Sequence, residues 1–161
     1  MPPVPRRTAK PIVYYGTSIV QGVGVSRPGR ALPAILGRQL ERPVINLGFS
    51  GLGKMEVALA NLLSEIDAAA YVVDCLPNLD AVLITSRAGP FVQALRAARP
   101  TTPIILVEDR TYANAWTRPD LAERNADSHR CRPGALCGLR PRCHRSPSEQ
   151  LAEVNGARRA G

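Results

Sequence analysis

Three loops of this 161-residue chain hold side chains suited to nucleophilic chemistry. In Gly16-Thr17-Ser18 a serine follows a glycine at the end of an apolar run. A nucleophilic serine needs a hydroxyl exposed above the sheet and a backbone amide facing the oxyanion that its attack creates, and a turn opened by glycine supplies both. The same residues also suit an ordinary cap on a following turn, because Thr and Ser side chains accept from backbone N–H groups. The second loop, Asn46 to Met55, opens a helical pattern with Gly48, Gly51 and Gly53, so its amides can approach an anion closely; tight packing at a helix entry uses glycines equally well. In the third, Asp74-Cys75-Leu76-Pro77-Asn78, a carboxamide stands just past an apolar strand. Its NH₂ group can donate to an oxyanion, and an Asn after Pro is also a common turn residue.

The second loop admits a rival chemistry. Gly48 to Lys54 fits the phosphate-loop pattern G-x-x-x-x-G-K-[ST] up to its last position, and Asp74 could stand for the metal-binding carboxylate of a nucleotide-binding protein. Met55 stands where the pattern needs a hydroxyl for Mg²⁺, and a thioether is a poor ligand for so hard a cation. Cys131, Cys137, Cys143 and His144 have the atom types of a zinc site. Their spacing fits no standard ligand pair, and adjacent Cys143 and His144 would strain a shared tetrahedron, so no metal or other cofactor is expected.

The elements that must position these loops alternate in type. Pro11–Tyr15, Val44–Leu47, Ala70–Cys75 and Pro103–Glu108 read as buried strands. Helical spacing runs over 31–40, 53–66 and 90–99, and again from Pro119 to Arg130. Continuously apolar strands separated by helices imply an α/β fold, a three-layer arrangement with a parallel sheet flanked by helices. Function in such sheets collects beyond the carboxyl ends of the strands, which is where the three loops fall.

Length predicts one domain, and 45% apolar with 21% charged residues excludes a disordered, collagenous or coiled-coil chain. No apolar run is long enough for a membrane helix, and residues 1–10 lack the apolar core of a signal peptide, which predicts a cytoplasmic protein. The net charge of +8 is uneven. Residues 1–130 hold 15 Lys plus Arg against 11 Asp plus Glu, whereas residues 131–161 hold 6 Arg against 2 Glu. From Cys131 the periodicity stops. Residues 1–10 are read as a disordered lead, 11–130 as the folded domain and 131–161 as a disordered basic tail. Arg outnumbers Lys 19 to 2, as in GC-rich coding sequence, so the tail is expected to be a frameshifted reading, a natural basic tail being the alternative. No aromatic residue lies among Arg132, Arg140, Arg142 and Arg145 for base stacking, so no nucleic-acid partner is expected.

In order and spacing the three loops resemble the SGNH, or GDSL-type, hydrolase family. Gly16-Thr17-Ser18 matches its first block with Thr in place of Asp, Ser50-Gly51 its second and Asn78 its third. The wording is especially similar to bacterial members that carry a β-sandwich ahead of the catalytic domain. The resemblance implies a flavodoxin-like SGNH fold and a serine esterase or acylhydrolase acting on a small ester, such as an acetylated carbohydrate. Ser18 would be the nucleophile, and the Gly51 amide and Asn78 side chain the oxyanion donors. The family's Asp-x-x-His segment, which supplies the general base and its orienting acid, has no counterpart among the 161 residues. His129 follows Asp127 by one residue too few, and His144 has no acid three residues before it. A domain truncated at its carboxyl end, impaired in activity and self-associating through an exposed sheet edge is therefore expected.

Overall fold

The computed structural model describes residues 9–109, 115–120 and 122–123. Within them β1 (Ile12–Gly16), β2 (Val44–Gly48), β3 (Ala70–Asp74) and β4 (Ile104–Leu106) form one parallel sheet in the order β2-β1-β3-β4. Alternation of side chains puts Val13, Tyr15, Tyr71 and Val73 on one face. There they pack with Ala60 and Leu63 of α3 (Val57–Ser64) and with Ile84, Phe91 and Leu95 of α4 (Ala81–Ala98). Full burial of side chains such as Leu63, Phe91 and Leu95 contributes about 1.5–3 kcal/mol each. The opposite face of β1 and β2 carries α1 (Ser18–Gln21) and α2 (Leu32–Gln39). Gly37 of α2 lies against Val44, where an added Cβ would meet its methyl carbon at 3.3 Å. The expected three-layer α/β arrangement is thus present. No helix among the described residues is long and apolar enough to cross a membrane.

Three helix boundaries differ from the periodic pattern. The helix expected over 53–66 begins only at Val57, because Gly53 to Glu56 is a tight loop in which Met55 adopts φ 54° and is buried. Met55 fell on the apolar stripe through tertiary burial rather than helical periodicity. The helix expected over 90–99 begins at Ala81, capped by Asp80, whose Oδ1 accepts from Leu83 N at 2.8 Å. Pro90 lies inside it. Its ring removes one intrahelical donor but leaves the helix continuous, where the sequence pattern reads it as a start. The third difference is α1, a single turn too short for periodicity to detect. Of the helix expected over 119–130, residues 119–120 and 122–123 are helical and the rest lies outside the described residues. So do 1–8 of the expected lead and the whole 131–161 tail. Lys10 is held by Asp67 at 2.9 Å, and its carbonyl accepts from Arg42 Nη1 at 3.0 Å.

Candidate active site

Strand register brings the three loops to one place. Gly16 pairs with Gly48 on one side and with Asp74 on the other, so β1, β2 and β3 end at the same level with β1 in the centre. Ser18 then follows by two residues, Gly51 by three and Asn78 by four.

At the end of β1, Thr17 is the cap of α1, its Oγ1 accepting from Ile19 N at 3.3 Å. Ser18 is the first helical residue and is partly exposed. The capping reading therefore holds for Thr17, and the cap sets Ser18 at a helix entry, where its N–H has no intrahelical acceptor.

Backbone contacts fasten the second loop to the first. Phe49 N donates to Gly16 O at 2.9 Å, and Gly53 lies so close that an added Cβ would come well within 3.0 Å of the same oxygen. Gly48 likewise has the Gln21 backbone where a side chain would go. Gly51 is different: it has φ +70° and open space around it, on an exposed turn at the rim. Asn78 ends a 3₁₀ turn over Leu76–Asn78, and its Nδ2 reaches Gly53 O at 3.5 Å. The loops carrying Ser18, Gly51 and Asn78 are thus joined in sequence through Gly16 and Gly53.

A polar cluster beneath them was not foreseen from sequence. Tyr15 Oη accepts from Met55 N at 3.2 Å and donates to Glu56 Oε2 at 3.4 Å, while Glu56 Oε1 takes Arg87 Nη1 at 2.9 Å. Arg87 Nη1 also donates to Lys54 O at 3.2 Å. The Tyr15 ring stacks on Phe91 at 5.6 Å and meets Phe49 edge-on at 6.1 Å, so one residue braces the second loop from the core. Burial pushes the Tyr15 phenol well above its ordinary range. Burial also pushes the Cys75 thiol up to about 12, which removes it as a nucleophile despite its place at the end of β3. Tyr14 Oη donates to Asp74 Oδ2 at 3.4 Å on the other face. Burial and the Asp74 charge raise that phenol to about 12.

The glycine-rich loop does not form a phosphate cradle. The Leu52 and Gly53 amides are both given to Phe49 O, at 3.2 and 3.1 Å, and the next helix starts three residues after Lys54. Among the described residues no three His, Cys, Asp or Glu side chains cluster as a metal site would require. His129, His144 and the tail cysteines lie outside those residues.

Comparison with known proteins agrees with this fold. The family model for GDSL-like lipases and acylhydrolases matches residues 9–133. A solved protein described as a GDSL-like lipase from Bacteroides ovatus is 39% identical and superposes with a TM-score of 0.77 over 81% of this chain and 39% of its own. The salicylyl-acyltransferase SsfX3 of a tetracycline biosynthetic pathway is 22% identical, with a TM-score of 0.63 over 78% of this chain and 39% of its own. AlinE4, an SGNH-hydrolase family esterase, shares the fold at 20% identity and a TM-score of 0.54, over 94% of this chain and 95% of its own. The chain therefore spans about 39% of the length of the first two. Comparison with curated proteins finds no match. By the family match over residues 9–133 and the 39% identity to the Bacteroides ovatus structure, the chain belongs to the GDSL-like lipase/acylhydrolase family.

Proposed function

We propose that this domain is the nucleophile-bearing part of a serine esterase or acylhydrolase acting on small-molecule esters. Ser18 Oγ attacks the ester carbonyl, the carbonyl oxygen becomes an oxyanion, and the Ser18 and Gly51 amides with Asn78 Nδ2 donate to it. Collapse of the tetrahedral adduct expels the alcohol and leaves the acyl group on Ser18; water then releases the acid. The observation that carries this reading is the shared level at which β1, β2 and β3 end, with the loops of all three residues joined through Gly16 and Gly53. Acyl groups such as acetate on a carbohydrate suit the exposed rim on which Gly51 stands.

We further propose that this 161-residue chain turns esters over slowly, since it holds no Asp-x-x-His pair to take the hydroxyl proton. Oxyanion stabilisation acts without the base, so turnover falls without vanishing. Hydrolysis of p-nitrophenyl acetate by the chain, by Ser18→Ala and by Asn78→Ala tests both statements. The expected result is slow hydrolysis that Ser18→Ala removes and that Asn78→Ala reduces about 10²–10³-fold, the usual cost of one oxyanion donor. Equal rates for all three proteins would refute the assignment.

A further inference from the structure

Asn46, on the face of β2 opposite the main core, makes two hydrogen bonds that lead away from its own strand. Its Nδ2 donates to Val20 O at 2.9 Å and its Oδ1 accepts from Gly48 N at 3.0 Å. The first partner belongs to the one-turn helix that begins with Ser18; the second is the residue from which the Gly51 loop departs. In four-residue α1 the Ser18 and Ile19 carbonyls accept from the Gly22 and Val23 amides that close the turn, while Val20 O takes its donor from Asn46, outside the helix. Gly48 lies against the Gln21 backbone and Phe49 N is bonded to Gly16 O, so the ends of β1 and β2 already touch. The Asn46 side chain adds a bond to each of the two segments. Only asparagine can make both: Asp has no donor at neutral pH, and Gln is one methylene too long for both bonds at this spacing.

Resting on the esterase reading for its catalytic consequence, we infer that Asn46 is a positioning residue for the candidate nucleophile, clamping α1 to the end of β2 and so fixing Ser18 relative to the Gly51 loop. It touches no substrate. A shift of about 1 Å in a reacting group lowers turnover on the order of 10²-fold, so loss of the clamp acts on kcat. Because the side chain is exposed, water replaces both bonds and the fold persists.

Hydrogen exchange on Asn46→Ala and Asn46→Asp, with p-nitrophenyl acetate kinetics on the same proteins, tests the clamp. In Asn46→Ala the Gln21, Gly22 and Gly48 amides are expected to exchange at least about tenfold faster, with Val72 and Val73 in the central sheet unchanged. Asn46→Asp keeps the acceptor and loses the donor, so Gln21 and Gly22 speed up while Gly48 stays protected. The Ser18-dependent kcat falls about 10–100-fold in both variants at unchanged KM, and unchanged exchange at Val72 and Val73 separates this from a loss of folded protein. Unchanged exchange at Gln21 and Gly22 overturns the inference, as does faster exchange with an unaltered Ser18-dependent kcat. A parent chain whose hydrolysis ignores Ser18→Ala counts against the esterase reading, while the exchange data still decide the clamp.

Discussion

Replacing Gly53 with alanine tests how the second loop is held. An added Cβ would fall within 3.0 Å of Gly16 O, its nearest neighbours all being backbone atoms at the end of β1. A rotamer change cannot relieve a clash with backbone, so the loop or the strand end must move by on the order of 1 Å to reach ordinary contact. Overpacking of this kind costs about 1–3 kcal/mol, which lowers Tm by roughly 2–4 °C per kcal/mol in a chain of this size. The movement falls between Ser18 and Asn78, since Gly53 O is the atom Asn78 Nδ2 approaches. Turnover of p-nitrophenyl acetate is therefore expected to fall on the order of 10²-fold. Gly24→Ala is the control. It has positive φ and open space, so it bears only the left-handed backbone cost of about 1–2 kcal/mol and should leave the rate alone. Calorimetry and ester kinetics on both variants provide the comparison. A Gly53→Ala protein matching the parent in Tm and rate would refute the reasoning, because the close approach would then be relieved without consequence.

Alkaline stability follows from Tyr14 and Cys75. Both are acids raised from ordinary values of 10.0 and 9.0 to about 12, so the folded chain holds protons that the unfolded chain releases. Their contribution is complete below pH 9, and it declines from there to about pH 12. Urea midpoints should fall across this window, and Tyr14→Phe should flatten the decline above pH 10; a midpoint constant to pH 12 would count against the burial of these groups. Arg87→Ala should loosen the Gly53–Glu56 loop through the lost Lys54 O and Glu56 bonds while costing under about 1 kcal/mol as a half-exposed ion pair. Faster exchange at Met55 is the expected sign, and unchanged exchange would show that Tyr15 alone suffices. Self-association is expected through β4, whose Ile105 is 50% exposed, and Ile105→Lys should reduce it in sedimentation experiments. An unchanged sedimentation profile would exclude that surface.

The strands were legible because each is a short, largely apolar run, although only β1 and β3 are mostly buried; the sheet order was not, since nothing in Val44–Leu47 or Ile104–Leu106 says which neighbour it takes. Loop content was legible where residue type and a place just past a strand are the signal, as for the candidates Ser18, Gly51 and Asn78. It was opaque where a loop is held by contacts distant in sequence. Met55 sits on the apolar stripe of a helix yet belongs to a loop, because Tyr15 Oη, 40 residues away, takes its amide. Asn46 carries no local signal either: its partners are Val20, 26 residues back, and Gly48, and only the pairing of β1 with β2 brings α1 within reach. Asp80 did carry a legible cap signal, obscured by reading Pro90 as the helix start.

The most direct measurement of the central claim is the site of acylation. After incubation with p-nitrophenyl acetate and acid quenching, peptide mass mapping should find one acetyl group on the peptide holding Ser18. On the proposal that this chain holds no positioned base, release of the acyl group by water is slow, so a fraction of the adduct should survive. Ser18→Ala should carry none, and Asn78→Ala should acquire it more slowly. Acetylation confined to lysines such as Lys10 and Lys54, at equal extent in the parent and in Ser18→Ala, would contradict the assignment of Ser18 as the nucleophile.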